Sequence, residues 1–282
     1  MSADSNLIPS VLVSKPSHPS MPVPERSLGM LSFQDCDLVL LNYARPSCTQ
    51  QAIDYNVRLP WKRIIIADQQ EHGQFAHERE VDSEDSRVIQ CCLDKSTGSL
   101  ARVIAPGMME SSLVCTHDDE YLVTEDGWLE LFSQWDDRSI VAFDPTPEFS
   151  GRSWLASMSH SEVELSQDLK NTDLGYGAIY RNEWAVWSHR RMTEVGYADQ
   201  ARESSDKAWT TFWGESVLVP ITGVRRLLMP DLSYADNTPQ VTECKQRQRE
   251  QKEAIKAAIK ARYDLFRSRT TGAHEFHTSS LG

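Results

Sequence analysis

"EYLVTEDGWLELFSQWDDRSIVAFDP", Glu120 to Pro145, holds three runs of aromatic and branched residues separated by two turn signals. Glu125-Asp126-Gly127 divides Glu120–Thr124 from Trp128–Trp135, and Asp136-Asp137 divides that run from Arg138–Phe143. Strand-prone residues bounded by Asp and Gly predict a β-meander here.

Working outward, the same kind of run recurs. Tyr176–Tyr180 and Trp184–Trp187 flank Arg181-Asn182-Glu183 and predict a hairpin. Arg87–Leu93 and Ser99–Ile104 flank Asp94–Gly98, where Gly98 suits a turn with positive φ, and predict another. Asp37–Leu41, Lys62–Ala67, Thr210–Pro220 and Val224–Leu228 read as further strands. Ile64-Ile65-Ile66 suits a strand buried on both faces. Cys48–Asn56 and Asp199–Thr210 are short helix candidates. Gln246–Arg267 is a long one, rich in Ala, Lys, Glu, Gln and Arg and free of Gly and Pro.

The expected fold is therefore β-rich, with a β-sandwich or barrel-like core, an extended N-terminal arm and a long C-terminal α-helix, α+β overall. Its segments are an extended Pro/Ser-rich arm over 1–27 (Pro9, Pro16, Pro19, Pro22, Pro24), a core domain over 28–236, a basic helix over 240–269 and a tail over 270–282.

A chain of 282 residues is long enough for one sizeable core. No apolar run is long enough to span a bilayer, and the N-terminal residues lack the basic start and apolar stretch of a secretory signal. The six cysteines (36, 48, 91, 92, 115, 244) are accordingly expected as reduced thiols in a cytoplasmic, reducing compartment. Adjacent Cys91 and Cys92 would point to opposite sides of a strand. The net charge of −12 argues against a nucleic-acid coat protein. Between Lys245 and Arg269, nine Lys/Arg against three acids give +6, so the rest of the chain carries −18. Ile255, Ala258, Ile259, Arg262, Leu265 and Phe266 form one stripe at helical spacing. Burying Ile255, Ile259, Leu265 and Phe266 would contribute at most about 6–12 kcal/mol, so the helix is expected to dock on something.

Chemistry is harder to find. Asp231, Glu243 and Lys245 match the short pattern of the PD-(D/E)xK nucleases. That resemblance covers about 40 residues and implies two acids holding Mg²⁺, with the lysine activating the attacking water. Glu71-His72, His77-Glu78, His117-Asp118-Asp119-Glu120 and His274–His277 offer possible ligand atoms, but none has a metal-site frame, and solvated turn charge accounts for His117–Glu120. No metal site and no cofactor are expected, Mg²⁺ entering only with the nuclease. Phosphate-loop, dinucleotide and nucleophile-elbow motifs are absent; Gly175-Tyr176-Gly177 lacks the third glycine. Most of the eight tryptophans cluster between Trp128 and Trp213, as core or as the lining of a ligand cavity.

These residues favour a non-catalytic interaction or assembly protein, a structural component of a particle or complex. Its contacts would be Tyr180, Arg181, Trp184, Trp187, Arg190 and Arg191, with Lys252, Lys256, Lys260 and Arg262 on the basic helix. The expected partner is a protein, with a second copy of the chain as one choice; nucleic acid would enter only through the basic helix, and no membrane is involved. The alternatives are the Mg²⁺-dependent nuclease and a small-molecule enzyme or binder with a Trp-lined barrel cavity.

Overall fold

The computed structural model describes residues 31–42, 46–69, 83–144, 172–199, 205–227, 253–262 and 264–265. The core is a seven-stranded mixed sheet, which overturns the expected sandwich or barrel. Strands β1 (Asp37–Asn42), β2 (Arg63–Asp68), β3 (Val88–Cys92) and β4 (Leu113–His117) are joined in parallel. Helix α1 (Pro46–Asn56) connects β1 to β2, and α2 (Ala101–Met108) leads into β4. A parallel neighbour requires such a crossover, which a meander cannot supply.

Beyond β4 the chain continues through β5 (Tyr121–Val123), α3 (Glu125–Ser133), β6 (Ile140–Asp144), β7 (Ala178–Arg181), α4 (Asn182–Glu194), α5 (Ser205–Trp213), β8 (Ser216–Pro220) and β9 (Val224–Arg226). The sheet order is β3-β2-β1-β4-β7-β6-β8. Only β7 runs against the others, pairing antiparallel with β4 and β6, while β6 and β8 are parallel. A separate two-stranded ribbon joins β5 to β9.

Alternation along the buried strands sends side chains to two cores. Leu38, Leu40, Ile64 and Ile66 pack with Ala52 and Ile53 of α1 and with Trp128, Leu131 and Phe132 of α3. Val39, Ile65 and Ala67 pack on the opposite face with Ala101 and Val103 of α2, Trp184 of α4, and Trp209 and Trp213 of α5. Helices thus cover both faces, and a strand such as Asp37–Asn42 is buried along its whole length.

The predicted meander fails in its middle run, which is α3. Thr124 caps this helix, its hydroxyl accepting the Gly127 N–H at 3.5 Å, and Glu125 and Asp126 in the first turn oppose the helix dipole favourably. Trp128, Leu131 and Phe132 fall at helical spacing and are buried. Gly127, read from sequence as a turn, is a site of close approach: a Cβ there would lie 3.0 Å from the Thr222 carbonyl oxygen. Neither predicted second hairpin strand forms. Ser99–Ile104 spans the end of a 3₁₀ turn (Lys95–Leu100) and the start of α2, and Trp184–Trp187 lies within α4.

Residues 253–262 are helical as expected but do not form an outlying rod. Ala254, Ala258 and Ala261 pack against Met192 of α4 and against Ala208 and Phe212 of α5. Arg262 donates to the carbonyls of Phe212, at 2.5 Å, and of Trp213, capping the end of α5. None of the five described cysteines forms a disulfide; Cys91 is buried and Cys92 exposed. Among the described residues, no helix is long and apolar enough to cross a membrane.

Candidate functional site

In an open α/β sheet the chain leaves polar, ligand-facing residues where the order of connection reverses, just outside the carboxyl ends of the strands. Here the chain steps outward from β1 to β2 to β3 and then returns to place β4 on the other side of β1, so the reversal lies between β1 and β4. Apolar runs end there in polar residues: Leu-Leu-Asn42 on β1, Ile-Ala-Asp68 on β2 and Cys-Thr-His117 on β4, with Asp118 and Asp119 immediately after.

Asn42 and Asp68 are register partners and both are buried. Asn42 Nδ2 donates to Asp68 Oδ1 at 3.1 Å, and Gln90 Nε2 on β3 donates to Asp68 Oδ2 at 2.5 Å. The Thr49 hydroxyl of α1 donates to Asn42 Oδ1 at 3.3 Å, which fixes the amide orientation. One polar chain thus runs across the ends of β1, β2 and β3. Gln69 extends it, its side-chain amide donating to the Gly98 carbonyl at 2.8 Å.

The end of β4 is a charged cluster. Arg102, in the first turn of α2, is 2% exposed. Its guanidinium pairs with the Asp118 carboxylate and, at 3.1 Å, with Asp206 in the first turn of α5. The Tyr180 hydroxyl donates to the Arg102 carbonyl at 2.9 Å, and burial pushes that phenol up. Lys207 reaches Asp173 at 2.6 Å, and Asp173 Oδ1 accepts the Gly175 N–H at 2.9 Å. Burial alone would raise the Asp173 carboxyl; Lys207, the Gly175 N–H and Arg102 together outweigh it and hold the group below the usual carboxylate range. The Gly175 carbonyl accepts the Asp118 N–H at 2.8 Å, and a Cβ on Gly175 would lie 2.3 Å from Asp118 Oδ2. A side chain at this position would displace the Asp118 carboxylate.

His117 faces the other side of the strand and is fully buried, its ring 6.1 Å from that of Trp128. Nδ1 lies 2.9 Å from the Asp118 carbonyl, an acceptor, so the proton sits on Nδ1 and Nε2 is left as a buried lone pair. Burial first, and then the Arg102 charge, push the imidazole down to about 3, so it is neutral at physiological pH. The sequence expectation of solvated turn charge is wrong for His117.

No protein-family model matches the sequence. No curated protein matches it. Solved structures are similar in fold. Glucosyl-3-phosphoglycerate synthase from Mycobacterium tuberculosis, in complex with Mn²⁺, UDP and glucosyl-3-phosphoglycerate, is 12% identical over 80% of this chain and 79% of its own, with a TM-score of 0.46. The mannosyltransferase PcManGT from Pyrobaculum calidifontis, in complex with GDP-Man and Mn²⁺, is 10% identical over 70% and 59%, with a TM-score of 0.42. S. aureus TarS 1-349 in complex with UDP is 8% identical over 67% and 59%, with a TM-score of 0.41. The chain spans less than two thirds of the length of the last two.

The expected assembly protein is withdrawn, as are the nuclease and the barrel binder. That reading required a free cationic rod, but residues 254–261 pack into the body and Arg262 is spent on internal carbonyls. Among the described residues there is no barrel for tryptophans to line: Trp135, Trp184 and Trp213 stack in sequence between helices and sheet. Asp231, Glu243, Lys245 and Lys252 lie outside the described residues.

Of the expected contact residues, Tyr180 and Trp184 are buried, and Trp187 is half-buried against Phe212 and Trp213. Arg181 pairs with Asp137, and Arg190 and Arg191 both pair with Glu194. Lys256 pairs with Glu253 within its own helix, and Lys260 is exposed. Sequence reasoning passed over Asn42, Asp68, Arg102, Asp173, Asp206 and Lys207. For the first two the signal was available, in a polar residue ending a fully apolar run.

Proposed function

We propose that the chain is a transferase for a nucleoside diphosphate-sugar, bound along the carboxyl ends of β1 to β4. The observation that carries this reading is the polar rim itself: Asn42, Asp68 and Asp118 stand at the ends of three adjacent parallel strands, at the point where the strand order reverses. An acidic side chain ending the second strand of such a sheet is the acceptor that nucleotide sites offer to ribose hydroxyls, and Asp68 has that place. Its two amide partners leave acceptor capacity, since an ionised carboxylate offers about four lone-pair sites. The glycine fingerprint of a dinucleotide site is missing, which speaks against hydride transfer.

On this reading the nucleoside lies over Asn42, Asp68 and Gln90, and the diphosphate is directed toward Asp118 and Arg102. Transfer breaks the bond between the anomeric carbon and the diphosphate, which leaves with the bonding pair, and joins that carbon to an acceptor oxygen, whose proton passes to the departing diphosphate. Charge then builds on the departing diphosphate, where the preorganised Arg102 would oppose it. Among the described residues, no three His, Cys, Asp or Glu side chains are gathered to hold a metal ion, and Asp118 is engaged by Arg102. The reading therefore draws no step through a metal.

Calorimetric titration with GDP-mannose, UDP and UDP-GlcNAc, each with and without Mn²⁺, tests the proposal. At least one should bind saturably, and Asp68→Ala should weaken it about tenfold or more, the loss of one charge-assisted contact. Absence of saturable binding by all three, or unchanged affinity in a folded Asp68→Ala protein, would sink it.

A further inference from the structure

We infer that the first turn of α5 is the positioning device for Asp118, with Asp206 setting its carboxylate and Lys207 its backbone. The inference rests on the strand-end site proposed above, but its evidence is independent of any ligand. Two chains of contact leave adjacent residues of α5 and converge on Asp118. Asp206 holds one arm of the buried Arg102 guanidinium at 3.1 Å, and the other arm holds the Asp118 carboxylate. Lys207 holds Asp173 at 2.6 Å; Asp173 holds the Gly175 N–H at 2.9 Å, and the Gly175 carbonyl holds the Asp118 N–H at 2.8 Å. The contacts span residues 102 to 207 and involve α2, the turn after β4, the turn before β7 and α5.

The arrangement suits positioning better than simple charge neutralisation. Asp118 is 37% exposed at its side chain while Arg102 is 2% exposed, so a solvent-facing carboxylate is held from beneath by a cation that cannot move freely. Arg102 serves two carboxylates at once, so Asp118 and Asp206 share one guanidinium. The planar fork fixes the direction of both, which a lysine would not do. Gly175 brings the second chain within contact of the same carboxylate. Asp206 and Lys207 need touch no substrate; they act through Arg102 and Gly175.

Two readouts on Asp118 itself test this in the full-length protein, whether or not a nucleotide binds. The first is the titration midpoint of the Asp118 carboxyl, followed by its ¹³Cγ shift. With Asp206→Asn the whole guanidinium falls to Asp118, and the midpoint should drop by about half a pH unit or more. In an Arg102→Met background the direct repulsion between the two carboxylates remains, so the same substitution should shift the midpoint by a different amount, a non-additivity that general loosening would not produce. If Asp206→Asn does not fold, Arg102→Lys, which keeps the charge but loses the fork, should move the Asp118 midpoint while Lys207 stays paired. The second readout is hydrogen exchange. Lys207→Met should cost the Asp118 amide about tenfold or more in protection while the amides of Phe212 and Trp213 keep theirs. An unmoved Asp118 midpoint in folded Asp206→Asn, the same shift with and without Arg102, or unchanged Asp118 protection in Lys207→Met would each overturn the assignment. Failure of nucleotide binding alone would overturn only the proposed function.

Discussion

Lowering the pH from 8 to 5 should weaken the fold through His117 by an amount the structure fixes. The imidazole is fully buried and titrates near 3 in the folded chain, because burial and the Arg102 charge both disfavour the imidazolium. Unfolded, it titrates near 6.5. Above that value neither state carries the proton, and stability is complete. Between about 6.5 and 3 the unfolded chain takes up a proton that the folded chain refuses, so stability falls as pH falls. Integrating that difference gives a loss of about 2 kcal/mol at pH 5. Carboxylates also respond to acid, so the quantity to measure is the difference between the wild type and His117→Gln. Urea unfolding at pH 8 and pH 5, extrapolated linearly, reads it directly. The wild type should lose about 2 kcal/mol more than the variant. Equal losses would show that His117 is not held neutral by the fold, and would remove the geometry on which the end of β4 has been described.

Three further outcomes are expected. Arg102→Met should leave Asp118 and Asp206 without their cation and destabilise the chain by about 3–5 kcal/mol in chemical denaturation, against about 1 kcal/mol for Tyr180→Phe, which loses one neutral hydrogen bond. Gly223→Ala should cost more than the 1–2 kcal/mol of its backbone alone, since φ is +60° and the new Cβ would lie 2.5 Å from Thr124 Oγ1 and 2.7 Å from the Gly127 nitrogen; its melting temperature reads this. Arg262→Met should uncap α5 and lower stability by about 1–3 kcal/mol, with exchange protection lost first at Phe212 and Trp213.

Several elements could be read from the residues because one signal decided them. Ile64-Ile65-Ile66 has no polar alternation, and β2 is buried on both faces. Cys48–Asn56 and residues 253–262 carry helical patterns and are helices. The errors share a cause. Trp128, Phe132, Trp184 and Trp187 are strand-prone by type but lie at helical spacing, and period outweighs type here. With strands in place of α3 and α4 the alternation of strand and helix disappears, and with it the parallel sheet.

The site was legible only in part. His117-Asp118-Asp119 stood out as polar residues, but their place at the end of β4 depends on the crossover. Asn42 and Asp68 are 26 residues apart and meet only because β1 and β2 are parallel and in register. Arg102, Asp173, Asp206 and Lys207 converge from three separate elements, a juxtaposition that no local spacing encodes.

Occupation of the strand ends by a nucleotide is shown most directly by amide chemical-shift mapping during titration with GDP-mannose, UDP and UDP-GlcNAc. The largest changes are expected at Asn42, Asp68, Gln69, Asp118 and Asp119. Saturable changes centred on any other surface, or no change with any of the three at millimolar concentration, would contradict it.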